Sequence, residues 1–390
     1  MDKKILLIST SPFPYGNASS NTMITYIKGF NENGGDSELV CLFPNLKPIY
    51  KIAPQGVYEG VPYSYLLNKV HFSSNKILRY CELHFFVIFK FRSFIRKLAK
   101  KYDLSVIFFT HTNRSFYIFS AICHYYKAKV VFTACEFPEY IKVIDDNNRR
   151  VRFKKYCKFI DQFVFETKTL EENYKSLLND KMDSIVIPAT MLFEDILECK
   201  KTTTDSYIAY CGSIHSDEKD GLSNILYAFA DFHKDNPHVK MIFVGRISNQ
   251  DYQYKLREIV EKNKMQDSVV FTGEINRSVY VNYLVNASLL VVAKGANSYY
   301  TGGLSSKVVE YLFSGNPVLM VASDDFTYYL THNNNVFFIN DNLPETISDA
   351  FSLLFSDSNM RHRIGTNGKD FAYHNFNYHN LCSELYKFIK

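Results

Sequence analysis

The chain has 390 residues, 46% hydrophobic and 22% charged, which is enough for two domains with separate cores and too apolar for a disordered chain. Its eight cysteines stand singly without a C-x-x-C pair, arguing against a disulfide framework or a zinc site, and no window reaches the roughly eighteen apolar residues of a membrane span. The net charge of +5 is uneven: residues 1–190 carry 27 Lys and Arg against 17 Asp and Glu, while 191–390 carry 18 against 23.

In chain order, short β-rich runs predict strands at 5–9, 38–42, 104–109, 129–133 and 162–166, with a later apolar edge at 184–187. A second series follows at 207–211, 240–244, 268–272, 288–292, 317–321 and 336–339. Helical periodicity falls between them, for example at 20–31, 223–234, 253–264 and 306–313. Strands alternating with helices predict a parallel sheet covered on both faces, and the pattern occurs twice. The expected fold is therefore α/β, two Rossmann-like, doubly wound domains facing across a cleft, at 1–188 and 207–370. Residues 189–206 read as a polar linker with Thr202, Thr203 and Thr204 as hinge. Segment 371–390 reads as one helix, a candidate for crossing back onto the first domain.

Ligands of such sheets bind at the carboxyl ends of the strands, so residues just after strands are the candidates. After the run at 288–292 comes Tyr300-Thr301-Gly302-Gly303-Leu304-Ser305-Ser306-Lys307-Val308-Val309-Glu310. The glycine pair allows close backbone approach, and the serines open a helix whose free N–H groups and positive dipole end suit a phosphate. Glu310, one turn on, could accept hydrogen bonds from vicinal hydroxyls. An ordinary loop with a solvated Glu310 is the alternative. After 207–211, Gly212-Ser213 leads to Lys219, whose ammonium could reach a diphosphate; after 240–244, Gly245-Arg246 puts a cation over the same edge. Solvated surface cations are the alternative for both.

In the first half, Gly16 and Asn17 lie in the loop after the first strand, which is not G-x-G-x-x-G and so speaks against a dinucleotide oxidoreductase. His111 follows the strand at 104–109, and Glu136 the strand at 129–133. There is no D-x-D triplet, so no metal bridging a diphosphate is expected.

The stretches Gly212 to Leu222, Val269 to Ile275, Ala287 to Val292 and Gly303 to Leu312 with Gly315-Asn316-Pro317-Val318 resemble, in this order, the nucleotide-binding domain of family 4 glycosyltransferases of the GT-B fold. The resemblance covers 207–330 strongly and the rest weakly. It implies a retaining, metal-independent hexosyltransferase-like enzyme without cofactor, taking a nucleoside-diphosphate sugar as donor substrate. Glu310 would be the second glutamate of E-x7-E and hold the ribose hydroxyls. Lys219 would bind the diphosphate together with Gly16, Gly212, Ser213 and Arg246, the N–H groups near Gly303, Leu304, Ser305 and Ser306 would meet the phosphates, and Gly273 to Ile275 would lie against the base. His111 would contact the donor sugar, with His111, Lys219 and Glu310 carrying catalysis and Asn17, His111 and Glu136 facing the acceptor. Two departures stand out: Gly302 occupies the first glutamate position, and Ser213 stands where an arginine is common.

Segment 76–102 holds eight Lys and Arg and one Glu. On a helical wheel Ile77, Cys81, His84, Ile88, Phe91, Ile95, Leu98 and Tyr102 form a core-facing stripe, with Phe86 opposite among Arg79, Lys90 and Lys97. Arg149, Arg150, Val151, Arg152, Phe153, Lys154 and Lys155 add a second cationic, aromatic cluster. Both suit an anionic membrane surface or a lipid-linked acceptor, with a solvated helix face as the alternative and no nucleic-acid motif beside them. The expected protein is a cytoplasmic or peripheral enzyme of bacterial-type surface glycan assembly acting on a lipid-linked or polysaccharide acceptor. A sugar-nucleotide epimerase or a catalytically silent nucleotide-sugar-binding subunit are the rivals.

Overall fold

The structure, a computed structural model, describes residues 2–14, 18–47, 50–136, 147–179, 181–202, 206–294 and 304–390. The chain divides into two units, Met1–Met191 with Asn377–Lys390, and Leu192–Phe376. Both are α/β units built on a mainly parallel sheet.

The first unit's sheet has the order β3-β4-β2-β1-β5-β6-β7-β8. The strands are β1 (Lys3–Ser9), β2 (Ser37–Cys41), β3 (Gln55–Tyr58), β4 (Val61–Tyr65), β5 (Asp103–Phe109), β6 (Lys129–Ala134), β7 (Gln162–Phe165) and β8 (Ser184–Val186). Central strands such as β1 and β6 are buried along nearly their whole length, so they read as continuous apolar runs. Strand order reverses between β1 and β5. The sequence reading missed the β3–β4 hairpin, the antiparallel pair at the sheet's edge. Nearly all of β3 is exposed, so it has no apolar alternation; its signal was the turn, where Glu59 and Gly60 both take positive φ, as a two-residue hairpin loop requires.

The second unit's sheet runs β11-β10-β9-β12-β13-β14. These are β9 (Tyr207–Cys211), β10 (Lys240–Val244), β11 (Val269–Gly273), β12 (Leu289–Val292), β13 (Val318–Val321) and β14 (Phe337–Ile339). All pairings between them are parallel, and the order reverses between β9 and β12, the position where doubly wound sheets open a crevice.

Three expectations need correction. Residues 192–202, read within a free linker of 189–206, pack on the second unit: Phe193 stacks on Phe313, Lys201 donates to the Ala287 carbonyl at 3.3 Å and to Asn316 Oδ1 at 3.1 Å, and the Thr202 N–H donates to Asn286 Oδ1 at 2.7 Å. Of the proposed hinge, Thr203 and Thr204 lie outside the described residues. The segment 371–390 is not one helix: Ser358–Asn375 ends there, and Asn377 caps a new helix, Tyr378–Ile389, through its side chain to the His379 N–H. That last helix belongs to the first unit. Finally, the stripe of 77–102 holds only from Val87 onward. A π-turn at Glu82–Phe86 adds residues to the turn and rotates what precedes it, so Val87, Phe91 and Ile95 are buried while Ile77 is 77% exposed and His84 is exposed too. Glu82 anchors that turn by accepting from Lys69 and from the N–H and hydroxyl of Ser73.

Candidate functional site

The second unit's site is assembled at the carboxyl ends of β9, β10 and β11, facing the start of the helix Ser306–Phe313. Strand β12 accompanies β9 only as far as Ala209, and the hydroxyl of Tyr311 takes over at Cys211. It accepts from the Cys211 N–H at 2.5 Å and donates to the Cys211 carbonyl at 2.8 Å, tying the helix to the strand end. Ser305 is the helix N-cap by backbone but makes no side-chain cap bond, Leu304 is buried, and Ser306 is half-buried. This short first turn therefore meets the β9 edge, as a phosphate site at a helix start would need. Gly303 and Gly302 lie outside the described residues.

Gly212 ends β9 with φ 145°, and a Cβ there would come within 2.6 Å of Lys307 Cε. The absent side chain leaves the lane that Lys307 occupies. Lys307 Nζ hydrogen-bonds the Tyr210 hydroxyl, lies 4.0 Å from that ring's centre and 3.6 Å from Asp220 Oδ1. Burial pulls the Lys307 ammonium below its usual pKa, with Asp220 opposing. Asp220 also accepts from the Tyr210 hydroxyl at 2.6 Å and from the His215 N–H at 2.7 Å, so it clamps the loop that follows β9. Sequence reasoning missed Lys307 and Asp220; Lys307 lay inside the quoted motif, but its partners are 97 and 87 positions away. Ser213 is exposed at the strand end, and Lys219 is exposed within the one-turn helix Asp217–Asp220. Arg246 follows Gly245 after β10, and its Nη1 is 3.8 Å from Glu274 Oε2, both mostly exposed. Gly273 closes β11 at φ 68°, with Ile275 half-buried just beyond.

Glu310 is held by two side-chain donors, and its side chain is only 13% exposed. Oε1 accepts from Arg277 Nη1, and Oε2 accepts from the Tyr280 hydroxyl at 2.6 Å. The other edge of the Arg277 fork grips Asp195, Nε to Oδ2 at 2.7 Å and Nη2 to Oδ1 at 3.1 Å. Burial would lower the Arg277 pKa, but Asp195 and Glu310 outweigh it and raise it; burial and then Glu310 push the Tyr280 phenol up. Asp195, Arg277 and Tyr280 gave no sequence signal, since each comes from a different stretch than Glu310.

In the first unit, the carboxyl ends of β1, β2 and β5 border a cavity of ≈ 120 Å³ whose lining includes Thr10, Phe43, Phe108, Thr110, His111 and Asn113. It lies at that sheet's own reversal point. His111 is exposed at the rim, Thr10 Oγ1 donates to Thr110 Oγ1 at 3.1 Å, and Asn113 caps the helix Arg114–Tyr125 by accepting from the Phe116 N–H at 3.0 Å. Glu136 is exposed beyond β6, on the strand next to β5. Glu166, which sequence reasoning missed, follows β7 on the same edge; burial pushes its carboxyl up to about 8, reinforced by the Glu136 charge and opposed by a hydrogen bond from Cys135. Gly16 and Asn17 lie outside the described residues. Among the described residues, no three His, Cys, Asp or Glu side chains gather as a metal cage.

Residues 198–371 match the family profile described as glycosyl transferases group 1. An uncharacterized glycosyltransferase of Methanocaldococcus jannaschii, MJ1069, is 26% identical over 171 residues, which is 44% of this chain and 42% of that protein, so the chain matches less than half the length of this relative. Among solved structures, Anabaena Alr3699/HepE in complex with UDP superposes with a TM-score of 0.74 at 14% identity over 98% of each chain. The same protein in complex with UDP-glucose gives 0.71 at 14% identity over 98% of each. A glycosyltransferase from Rickettsia africae ESF-5 gives 0.72 at 16% identity over 100% of this chain and 99% of its own. At such identity these likenesses show the fold, two Rossmann-like α/β domains of the GT-B class.

Proposed function

We propose that the chain is a retaining glycosyltransferase of the group 1 type, moving a sugar from a nucleoside-diphosphate donor to a hydroxyl of a lipid-linked or polysaccharide acceptor in surface glycan assembly. The observation that carries this reading is the placement of the Ser306–Phe313 helix start and of Glu310 at the carboxyl end of β9, at the sheet's reversal point. The match of 198–371 to the group 1 profile and the UDP and UDP-glucose complexes of the HepE fold relative support it.

In this reading Glu310 takes the ribose hydroxyls, and Gly273 to Ile275 face the base. Lys219, Arg246 and the N–H groups from Leu304 to Ser306, beside Gly212 and Ser213, stabilise the charge that grows on the leaving diphosphate. The acceptor oxygen forms a bond to the anomeric carbon as that carbon's bond to the diphosphate oxygen breaks. The acceptor proton passes to the departing phosphate on the same face, which gives retention without a pair of catalytic carboxylates. His111 meets the donor sugar, and Glu136 meets the acceptor. The absence of D-x-D from the sequence supports transfer without a bridging metal.

Thermal melts with saturating UDP, GDP, ADP and NAD test this. One nucleoside diphosphate at a hundredfold its Kd should stabilise the wild type by about 2.7 kcal/mol. The gain should vanish in Lys219→Ala, fall to about half in Glu310→Ala, and persist in His111→Ala, which should lose transfer instead. No response from a folded protein to any of the four sinks the nucleotide-sugar reading. Turnover without acceptor would mark an epimerase, and binding without turnover a silent subunit.

The membrane surface is the proposed partner of the first unit. Phe85, Phe86 and Phe89, the last 68% exposed, project with Leu78 and Tyr80 from the same helical stretch as the exposed Lys76, Arg79 and Lys90, the mixture expected of an interfacial helix on the inner face of the cell membrane. The second cluster contributes charge and a single apolar side chain: Arg150, Arg152, Lys154 and Lys155 are exposed together with Val151, but Phe153 belongs to the core. Among the described residues no helix is long and apolar enough to span a membrane. Sedimentation with vesicles should show binding to phosphatidylglycerol mixtures and not to phosphatidylcholine alone, reduced at least about tenfold in Phe86→Ser/Phe89→Ser; equal binding by that variant discards this surface.

A further inference from the structure

We infer that Arg277 and Tyr280 are positioning residues that hold the Glu310 carboxylate in the one orientation able to accept from vicinal hydroxyls. The inference rests on the reading of Glu310 as the ribose carboxylate and adds what makes that carboxylate selective.

A glutamate at the end of three rotatable bonds is a poor reader of a diol unless something stops it turning. Here each oxygen is held by a different donor, Oε1 by Arg277 Nη1 and Oε2 by the Tyr280 hydroxyl at 2.6 Å. Arg277 is itself immobilised from behind, its Nε and Nη2 forked onto Asp195 at 2.7 and 3.1 Å, and its guanidinium carbon lies 5.3 Å from the centre of the Tyr280 ring. Asp195, Arg277, Glu310 and Tyr280 thus form one chain in which each of the three Arg277 nitrogens and the Tyr280 hydroxyl donates to a carboxylate oxygen. A carboxylate offers about four acceptor positions, so two donors leave two unfilled, one on each oxygen, matching the two hydroxyls of a ribose. Arginine suits this place because its planar fork serves two carboxylates at once, whereas a lysine ammonium would not fix the plane of either.

The alternative role for Arg277 is a latch that occupies Glu310 and must be displaced by the nucleotide. The two roles predict opposite signs, because removing a latch tightens binding and removing a positioning residue weakens it.

The test measures dissociation constants of uridine, guanosine and adenosine diphosphates and the 2′,3′-dideoxy form of each, by calorimetry on wild type, Arg277→Gln, Tyr280→Phe and Glu310→Ala, with thermal melts as folding control. The wild type should prefer the ribose form of its nucleotide by about tenfold or more, a preference absent from Glu310→Ala. Arg277→Gln should weaken the ribose form by about tenfold while changing the dideoxy form less than about twofold, and Tyr280→Phe should do the same more mildly. A structural defect would weaken both forms alike, so equal loss, no loss or tighter binding in both variants overturns the inference and leaves the Glu310 assignment standing. If Arg277→Gln fails to fold, Tyr280→Phe alone decides by the same criteria. If no nucleotide binds, or the ribose preference survives in Glu310→Ala, the Glu310 assignment fails and this inference with it.

Discussion

Glu171 shows how a single residue's surroundings set a measurable property of the first unit. It is nearly buried on the helix Lys168–Leu177, where it pairs with Lys168, lies 2.7 Å from Lys175 Nζ, and accepts from the Ser184 hydroxyl on β8 at 2.7 Å. Burial alone would raise its pKa, but the hydrogen bonds from Lys168, Lys175 and Ser184 outweigh it and hold the carboxyl at about 2. The folded pKa is depressed, so the stabilisation is fully present above the ordinary carboxylate pKa near 4.5 and is lost as pH falls toward 2. Because both lysines are partly exposed, roughly 2 kcal/mol is expected rather than the whole shift. Urea unfolding of wild type and Glu171→Gln between pH 2 and 7 should give a steeper acid loss in the wild type; identical slopes would remove Glu171 from the account. The same scale explains which site residues were legible. Ser305, Ser306 and Glu310 fall within one contiguous motif whose spacing carries their chemistry. Arg277 acquires a role only by meeting Glu310, 33 positions on, and Asp195, 82 positions back, and no local pattern encodes such a meeting.

Among elements, the interior strands and the helix Ser306–Phe313 were legible almost to the residue, because burial on both faces demands unbroken apolar runs. The exposed hairpin strand and the π-turn were not, since neither leaves a periodic trace. Helix pairing is likewise invisible locally. The last helix, Tyr378–Ile389, lies against Ala18–Glu32 so closely that a Cβ on Gly29 would fall 2.3 Å from Cys382 Cβ. Glycine to alanine inside a helix ordinarily gains about 1 kcal/mol. Here the sign should reverse, and Gly29→Ala should lose roughly 1–3 kcal/mol as the two helices are forced apart. Thermal melts check this, and an unchanged or raised Tm would show that the two helices part to admit a methyl group at no net cost.

For the whole molecule, two α/β units and the carboxyl-edge location of their candidate sites follow from the sequence alone, because the alternation of apolar runs with amphipathic helices admits few other packings. The contrast between a basic first half and an acidic second was equally legible, since charge counts need no coordinates. Where one unit ends is another matter: residues 192–202 look like a linker by composition yet belong to the second unit, and 377–390 return to the first from the far end of the chain. Composition reports polarity, while membership of a unit depends on which surface a segment can cover. The sequence by itself determined the fold class, the phosphate-suited helix start and the identity of Glu310 as a candidate. Only the tertiary structure decided that Lys307 fills the lane beside Gly212, that Arg277 and Tyr280 grip Glu310, and that Phe85, Phe86 and Phe89 face outward. Local pattern is fixed by neighbours along the chain, whereas partnership between charged groups and exposure of a helix face are fixed by segments that folding brings together from a distance.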